Sequence, residues 1–292
     1  MSDATQLPEV GNSAHFEHIN LRVSDHVTAT NFFVVGLGLT RDPYRMVGTE
    51  NMWVNIGTQQ FHLPVAEPTP FPGEIGISLP DLEQTRQRLA IVARKLEGTH
   101  FAFAPDGDTL RITSPWGHQF IAHDAGAMPG RLPMAIPYVR FHVPPGMAVG
   151  IGRYYADLLG CPVEGAHDGV RVTVGPHQHF HFQERPGAVS IAHTNHVCLY
   201  ISRYWETYAA IQERQLVYER DMKGWQFRIL HLLDPAVESG PMFQPATGGG
   251  PTFQPATGGG NTFQIEHELR SFYHPDFLKP LVNRHPVPYL VD

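Results

Sequence analysis

Short runs of alternating apolar and polar residues recur along the chain, separated by fewer segments with helical spacing. "FEHINLRV" puts Ile19, Leu21 and Val23 on one face of a strand and His18 on the other. "TNHVCLYI" repeats the arrangement with Val197, Leu199 and Ile201 opposite His196. "TFQIEHEL" sets Glu266 against Phe263, Ile265 and Leu269. "NFFVVGLGL" (31–39) and "RYYADLLGC" (153–161) share a pattern of one polar residue, two aromatics, three residues and then Leu-Gly. Each predicts an amphipathic helix stopped by Gly38 or Gly160, because glycine accepts the left-handed conformation at a helix end. "GEIGISLPDLEQTRQRLAIVARKL" and "TNHVCLYISRYWETYAAIQERQL" give strand then helix twice more, the former with a Pro-Asp helix start at 80–81.

Further alternating runs follow each helix, among them "NMWVNIG", "QQFHLPV", "DTLRITSP", "HQFIAHD", "VRVTVG", "HFHFQE" and "WQFRILHLL". The pattern predicts four strand–helix–three-strand modules at residues 15–64, 73–124, 136–184 and 194–270. They group as a first domain at 15–124 and a second at 136–270, with a tail at 1–14, a linker at 125–135 and a second tail at 271–292. "PVAEPTPFPG" (64–73) and "AGAMPGRLP" (125–133) are connectors by composition. A Gly-rich insertion at 241–260 repeats "FQPATGGG" at a period of ten, which predicts a flexible surface loop in the fourth module, with a lid over a site as the sharper reading. The C-terminal tail is expected to run over the surface.

The length of 292 residues supports two domains with substantial cores. A formal charge of -7, with no Lys/Arg block, argues against a nucleic-acid partner. No apolar run approaches a membrane span, and "MSDATQLPEV" lacks the pattern of a signal peptide, so a cytoplasmic protein is expected. Cys161 and Cys198 each lie in an apolar pattern and read as buried thiols. No convincing phosphate-binding Gly loop, G-x-S-x-G elbow or paired-cysteine zinc pattern is present.

Two histidines and a carboxylate on separate strands, each turned away from its apolar neighbours, are the parts of a divalent-metal site. His18, His196 and Glu266 are therefore the candidate ligands. The alternative role for Glu266 is a pair with an arginine such as Arg22 or Arg270. His267 falls on the opposite face. Asn20, Arg22, Gln60 and Tyr200 alternate onto the ligand faces and are candidate substrate contacts. "PHQHFHFQ" sets His177, His179 and His181 opposite Phe180 and Phe182, as an incomplete second set.

Modules opening on "HINLRV" and "HVCLYI", the hairpin in "SPWGHQFIAHD" (114–124) and the strand "IEHE" resemble the vicinal oxygen chelate superfamily over about residues 15–270. The superfamily includes glyoxalase I, type I extradiol dioxygenases and bleomycin-resistance proteins. The resemblance implies an α+β fold of four βαβββ modules forming two curled mixed sheets, with metal ligands on the first and last strands of paired modules. Transferred residue by residue, those positions are His18 and His62 in module one, Glu74 and Gln119 in module two, Tyr138 and His181 in module three, and His196 and Glu266 in module four. Tyr138 stands where extradiol enzymes carry a histidine. Pairing of modules one and four, within one chain or across a homodimer, is thus expected to unite His18, His196 and Glu266. His62 then becomes a fourth ligand or an acid–base group.

The resemblance implies an oxidoreductase of extradiol-dioxygenase type, with Fe(II) or Mn(II) chelating a small, aromatic substrate through vicinal oxygens. A glyoxalase or isomerase using Zn(II) or Ni(II), and a metal-free sequestering protein, are the alternatives. One scaffold hosts all three, so the fold does not choose between them.

Overall fold

The computed structural model describes residues 10–43, 50–128, 133–188, 195–221, 223, 225–236, 243–244, 254–255 and 263–278. The chain divides into two compact units: Met1–Phe16 with Tyr138–His274, and Glu17–Pro137 with Pro275–Asp292. The strands make two mixed eight-stranded sheets. Strand β1 (Ser13–Asn20) and strand β9 (Ala135–Val143) each run from one unit into the other.

In the unit centred on residues 17–137, β1 pairs in parallel with β4 (Gln59–Pro64), followed by antiparallel β3 (Asn51–Ile56) and β2 (Thr40–Arg41). The same order recurs in β5 (Gly73–Leu79), β8 (Gln119–Asp124), β7 (Thr109–Thr113) and β6 (Ala102–Asp106). Alternation along these strands turns Ile19, Phe61, Ile75, Ile77 and Phe120 into the core, all fully buried. Phe33 lies 5.1 Å from Phe61 and 6.2 Å from Phe120, ring centre to ring centre, so the first helix fills the space between strands of both modules.

That helix begins earlier than its aromatic pair predicts. Asp25 accepts from the Thr28 N–H and starts α1 (His26–Ala29), which continues as a wider π-type turn over Thr30–Gly36. Gly38 then takes a φ of +74°, and a side chain there would meet the Arg88 guanidinium. Asp81 caps α2 (Leu82–Ala93) through the Gln84 N–H at 2.8 Å, in accord with the Pro-Asp signal.

In the unit centred on residues 138–274, β9 pairs in parallel with β12 (Gln178–Glu184), then β11 (Gly169–Gly175) and β10 (Val163–Ala166). Strand β13 (His196–Ile201) pairs in parallel with β18 (Phe263–Arg270), which is followed by β15 (Gln226–Leu232) and β14 (Val217–Asp221). Helix α3 spans Ala148–Asp157, with Gly160 at φ +62°, and α4 spans Tyr204–Glu213. Phe141, Phe180, Phe182 and Tyr155 form the aromatic core, all fully buried.

Two expectations are corrected, for His177 and for the second tail. His177 is in the turn before β12 at φ +57°, so only His179 and His181 share the face opposite Phe180 and Phe182. In the Gly-rich insertion, β16 (Phe243–Gln244) and β17 (Gln254–Pro255), from the two copies of the repeat, pair antiparallel. The rest of 241–260 lies outside the described residues. In the second tail Tyr273 is exposed, yet Ser271, His274 and Asp276 are buried; residues 279–292 also lie outside the description. Cys161 and Cys198 are free, buried thiols. Among the described residues no helix is long and apolar enough to cross a membrane.

Candidate functional site

The parallel register of β1 and β4 sets His18 opposite Gln60 and Asn20 opposite His62. His18 is fully buried, and its Nδ1 lies 2.6 Å from Oε2 of Glu17, which is buried with it. An ionised carboxylate only accepts hydrogen bonds, so this contact places the imidazole proton on Nδ1 and leaves Nε2 as the lone-pair atom. The His62 ring is held between two others. The Trp53 ring lies 3.7 Å away at 7°, and the His18 ring 3.6 Å away at 21°.

Gln60 donates from Nε2 to Asp42 at 2.8 Å and to Asn55 at 2.6 Å. Its Oε1 is then the acceptor for His62 Nε2 at 3.0 Å, which places the His62 proton on that nitrogen. The Gln60 amide is therefore committed to protein groups. Asn20 is nearly buried beside this stack, and Arg22 is half-buried.

The parallel register of β13 and β18 sets His196 opposite Glu266, Cys198 opposite Glu268 and Tyr200 opposite Arg270. These positions match those in module one: His196 with His18, Glu266 with Gln60, and Glu268 with His62. His196 Nδ1 is 3.7 Å from Glu266 Oε1, and Nε2 is 3.8 Å from Glu268 Oε2. Burial pushes the His196 pKa down to about 4, against the pull of Glu268 and Glu266, so the ring is neutral at pH 7.

Arg228 lies on β15 directly across from Glu268. It donates from Nη1 to Glu266 and from Nη2 to Glu268, and Arg270 Nε donates to the other oxygen of Glu268. Burial opposes the Arg228 charge, but Glu268 and Glu266 raise its pKa above that of an ordinary arginine. Burial also raises the Tyr218 phenol, which hydrogen-bonds to Glu266. Tyr200 is fully buried and accepts from Arg270 Nη1 at 3.3 Å.

The arginine on Glu266 is thus Arg228, not Arg22 or Arg270, because antiparallel β15 brings it alongside. His267 faces the core as expected: Tyr155 Oη meets its Nε2, and its Nδ1 lies 3.0 Å from the Ile265 carbonyl. The remaining candidates have local partners. Tyr138 stacks on His179 at 5.5 Å, His181 meets Asp168 at 2.9 Å, Glu74 meets Arg111 at 2.9 Å, and Gln119 accepts from Thr113 at 3.1 Å. Glu17, Glu268 and Arg228 were not foreseen. The run "EHELR", with Glu266, Glu268 and Arg270 on one face, carries a legible signal for Glu268.

No protein-family model matches the sequence, and no curated protein matches it. Solved structures do. Glyoxalase I from Zea mays aligns at a TM-score of 0.59 with 13% identity, over 94% of this chain and 98% of that one. A putative dioxygenase from Bacillus subtilis aligns at 0.54 with 13% identity, over 95% and 93%. The chain therefore has the vicinal oxygen chelate fold, and at this identity the likeness extends to the fold alone.

Proposed function

We propose that the chain is a metal-dependent enzyme in which His18 and His196 supply nitrogen ligands, and Glu266 or Glu268 the carboxylate, for one divalent cation. The observation that carries this reading is the buried Glu17–His18 contact at 2.6 Å. A carboxylate on one ring nitrogen, fixing the tautomer and freeing the other, is the usual support of a metal-ligating histidine. His196 fits the same role, being neutral at pH 7 and facing two carboxylates. Two imidazoles and one carboxylate suit Fe(II) or Mn(II) and leave coordination positions for a ligand.

Bound there, such an ion would hold two neighbouring oxygens of a small substrate and supply oxygen-activating chemistry. The protein's own contribution is positional. Glu17 orients His18, and the Trp53–His62–His18 stack fixes the plane of His62. Gln60, itself anchored by Asp42 and Asn55, holds the His62 proton at Nε2. With its proton held on Nε2 by Gln60, His62 keeps Nδ1 as its lone-pair atom, which can take a proton or serve as a fourth ligand. Trp53 gives this side of the site an aromatic surface, in keeping with an aromatic substrate.

Oxygen uptake by iron-loaded protein with catechols tests the reading. Consumption of one O2 per catechol, abolished in His196→Ala, is the expected result. Conversion of a thiohemiacetal by the zinc- or nickel-loaded protein, without oxygen uptake, would replace it with isomerase chemistry.

A further inference from the structure

Arg228 does not grip a single carboxylate in the two-pronged manner common for arginine. Its terminal nitrogens divide, Nη1 going to Glu266 Oε1 and Nη2 to Glu268 Oε2. Those are the same two oxygens that face His196, at 3.7 Å from Nδ1 and 3.8 Å from Nε2. The guanidinium thus lies at the edge where both carboxylates and the imidazole converge. It is held in place by the strand register, with Arg228 opposite Glu268, and its Nε lies 3.8 Å from Glu219. Its side chain is 22% exposed, against 11% for Glu266 and 2% for Glu268. Arg270 neutralises the remaining oxygen of Glu268. Among the buried groups, the carboxylates of Glu266 and Glu268 thus stand against the guanidinium groups of Arg228 and Arg270 without any added cation, with the exposed Glu219 at the outer edge.

We propose that Arg228 is a positioning residue that acts as an internal competitor for the divalent cation. It holds Glu266 and Glu268 turned toward His196 and supplies the positive charge that the ion would otherwise supply. A bound ion must draw a carboxylate oxygen away from Arg228 and then sit close to a like charge. The residue therefore keeps the site formed in the absence of metal, and keeps metal binding weak and exchangeable. The inference rests on the ligand set proposed above. Its consequence runs opposite to that of an ordinary supporting residue, since removing Arg228 tightens metal binding. The same removal leaves the carboxylate pair with Arg270 alone, so the metal-free protein loses stability and the ion restores it.

The test is manganese titration of chelator-treated full-length protein by calorimetry, with thermal melting in the presence and absence of Mn(II). Arg228→Met, Arg228→Lys and the double variant Arg228→Met/His196→Ala are compared with wild type. Arg228→Met is expected to bind Mn(II) at least tenfold more tightly, to melt lower than wild type without metal, and to recover when Mn(II) is added. Arg228→Lys keeps the charge but reaches only one carboxylate, so a two- to fivefold gain is expected. It carries the test alone if the methionine variant does not fold.

Binding in Arg228→Met but not in wild type would support the competitor role while defeating the proposed metal-dependent function. Binding in wild type that is unchanged or weakened by both substitutions would defeat the competitor role and leave that function standing. No binding in any variant would overturn both. A gain that persists in the double variant would support the competition for the carboxylates but overturn the ligand role of His196, because the freed carboxylates would then bind the ion without it.

Discussion

Replacing Glu17 with glutamine preserves the shape of the side chain and removes its charge, so the change falls on the bond to His18. Both side chains are within 1% of complete burial, and the 2.6 Å separation is that of a charge-assisted hydrogen bond. Such bonds contribute about 1.5–3 kcal/mol, against about 1 kcal/mol for a neutral pair. The difference, roughly 0.5–2 kcal/mol, is lost from the firmness with which His18 presents Nε2. Glutamine can also turn its NH2 toward Nδ1, which would move the imidazole proton to Nε2 and block the ligand atom. Divalent-cation binding should weaken by about twofold to thirtyfold, the upper part of which matches the loss of an orienting partner. Calorimetric titration with Mn(II) measures this, and a urea melt of the metal-free variant reports whether the fold is intact. Unchanged affinity in a folded Glu17→Gln protein would refute the orienting role of Glu17.

Burial pushes His118 down to about 4, and its Nδ1 accepts the Phe71 N–H at 3.0 Å, so the folded ring is neutral. The unfolded ring titrates near 6.5, so the native state binds fewer protons between these values. The contribution is whole above pH 6.5 and is lost as pH falls toward 4, by up to about 3 kcal/mol. Urea midpoints at pH 7, 5.5 and 4.5 should decline less in His118→Gln than in wild type, and parallel declines would remove His118 as the cause. Asp81→Ala removes the α2 cap and should cost about 1 kcal/mol in the same melt; no loss would mean that the cap contributes nothing. Gly57 has φ +64°, and a Cβ there would lie 2.0 Å from the Met134 carbonyl oxygen. Gly57→Ala should therefore destabilise by about 2 kcal/mol or more, and a midpoint equal to wild type would contradict that close approach.

The strands were legible because a period of two survives in nearly all of them; Ile19, Phe61, Phe120 and Phe180 are core residues that alternation alone identifies. Helix ends were less so. The Phe-Phe and Tyr-Tyr pairs mark the buried middle of a helix, whereas its start depends on single side chains such as Asp25, and the π-type turn at Thr30–Gly36 has no simple periodic signature. At the candidate site, His18, His196 and Glu266 stood out because each lies on the polar face of a strand whose opposite face is apolar. Glu17 did not, since strict alternation turns it away from His18, although the structure bonds the two. Arg228 was hidden for another reason. Its partners depend on the register of β15 against β18, which includes an irregularity between Ile229 and His231 that no local pattern announces.

The most direct test of the metal centre is equilibrium dialysis of the full-length protein against Mn(II), or Fe(II) without oxygen, followed by the count of ions per chain. One ion per chain in wild type, lost in both His18→Ala and His196→Ala, is the predicted result. No bound ion, or binding that survives the loss of either histidine, would contradict it.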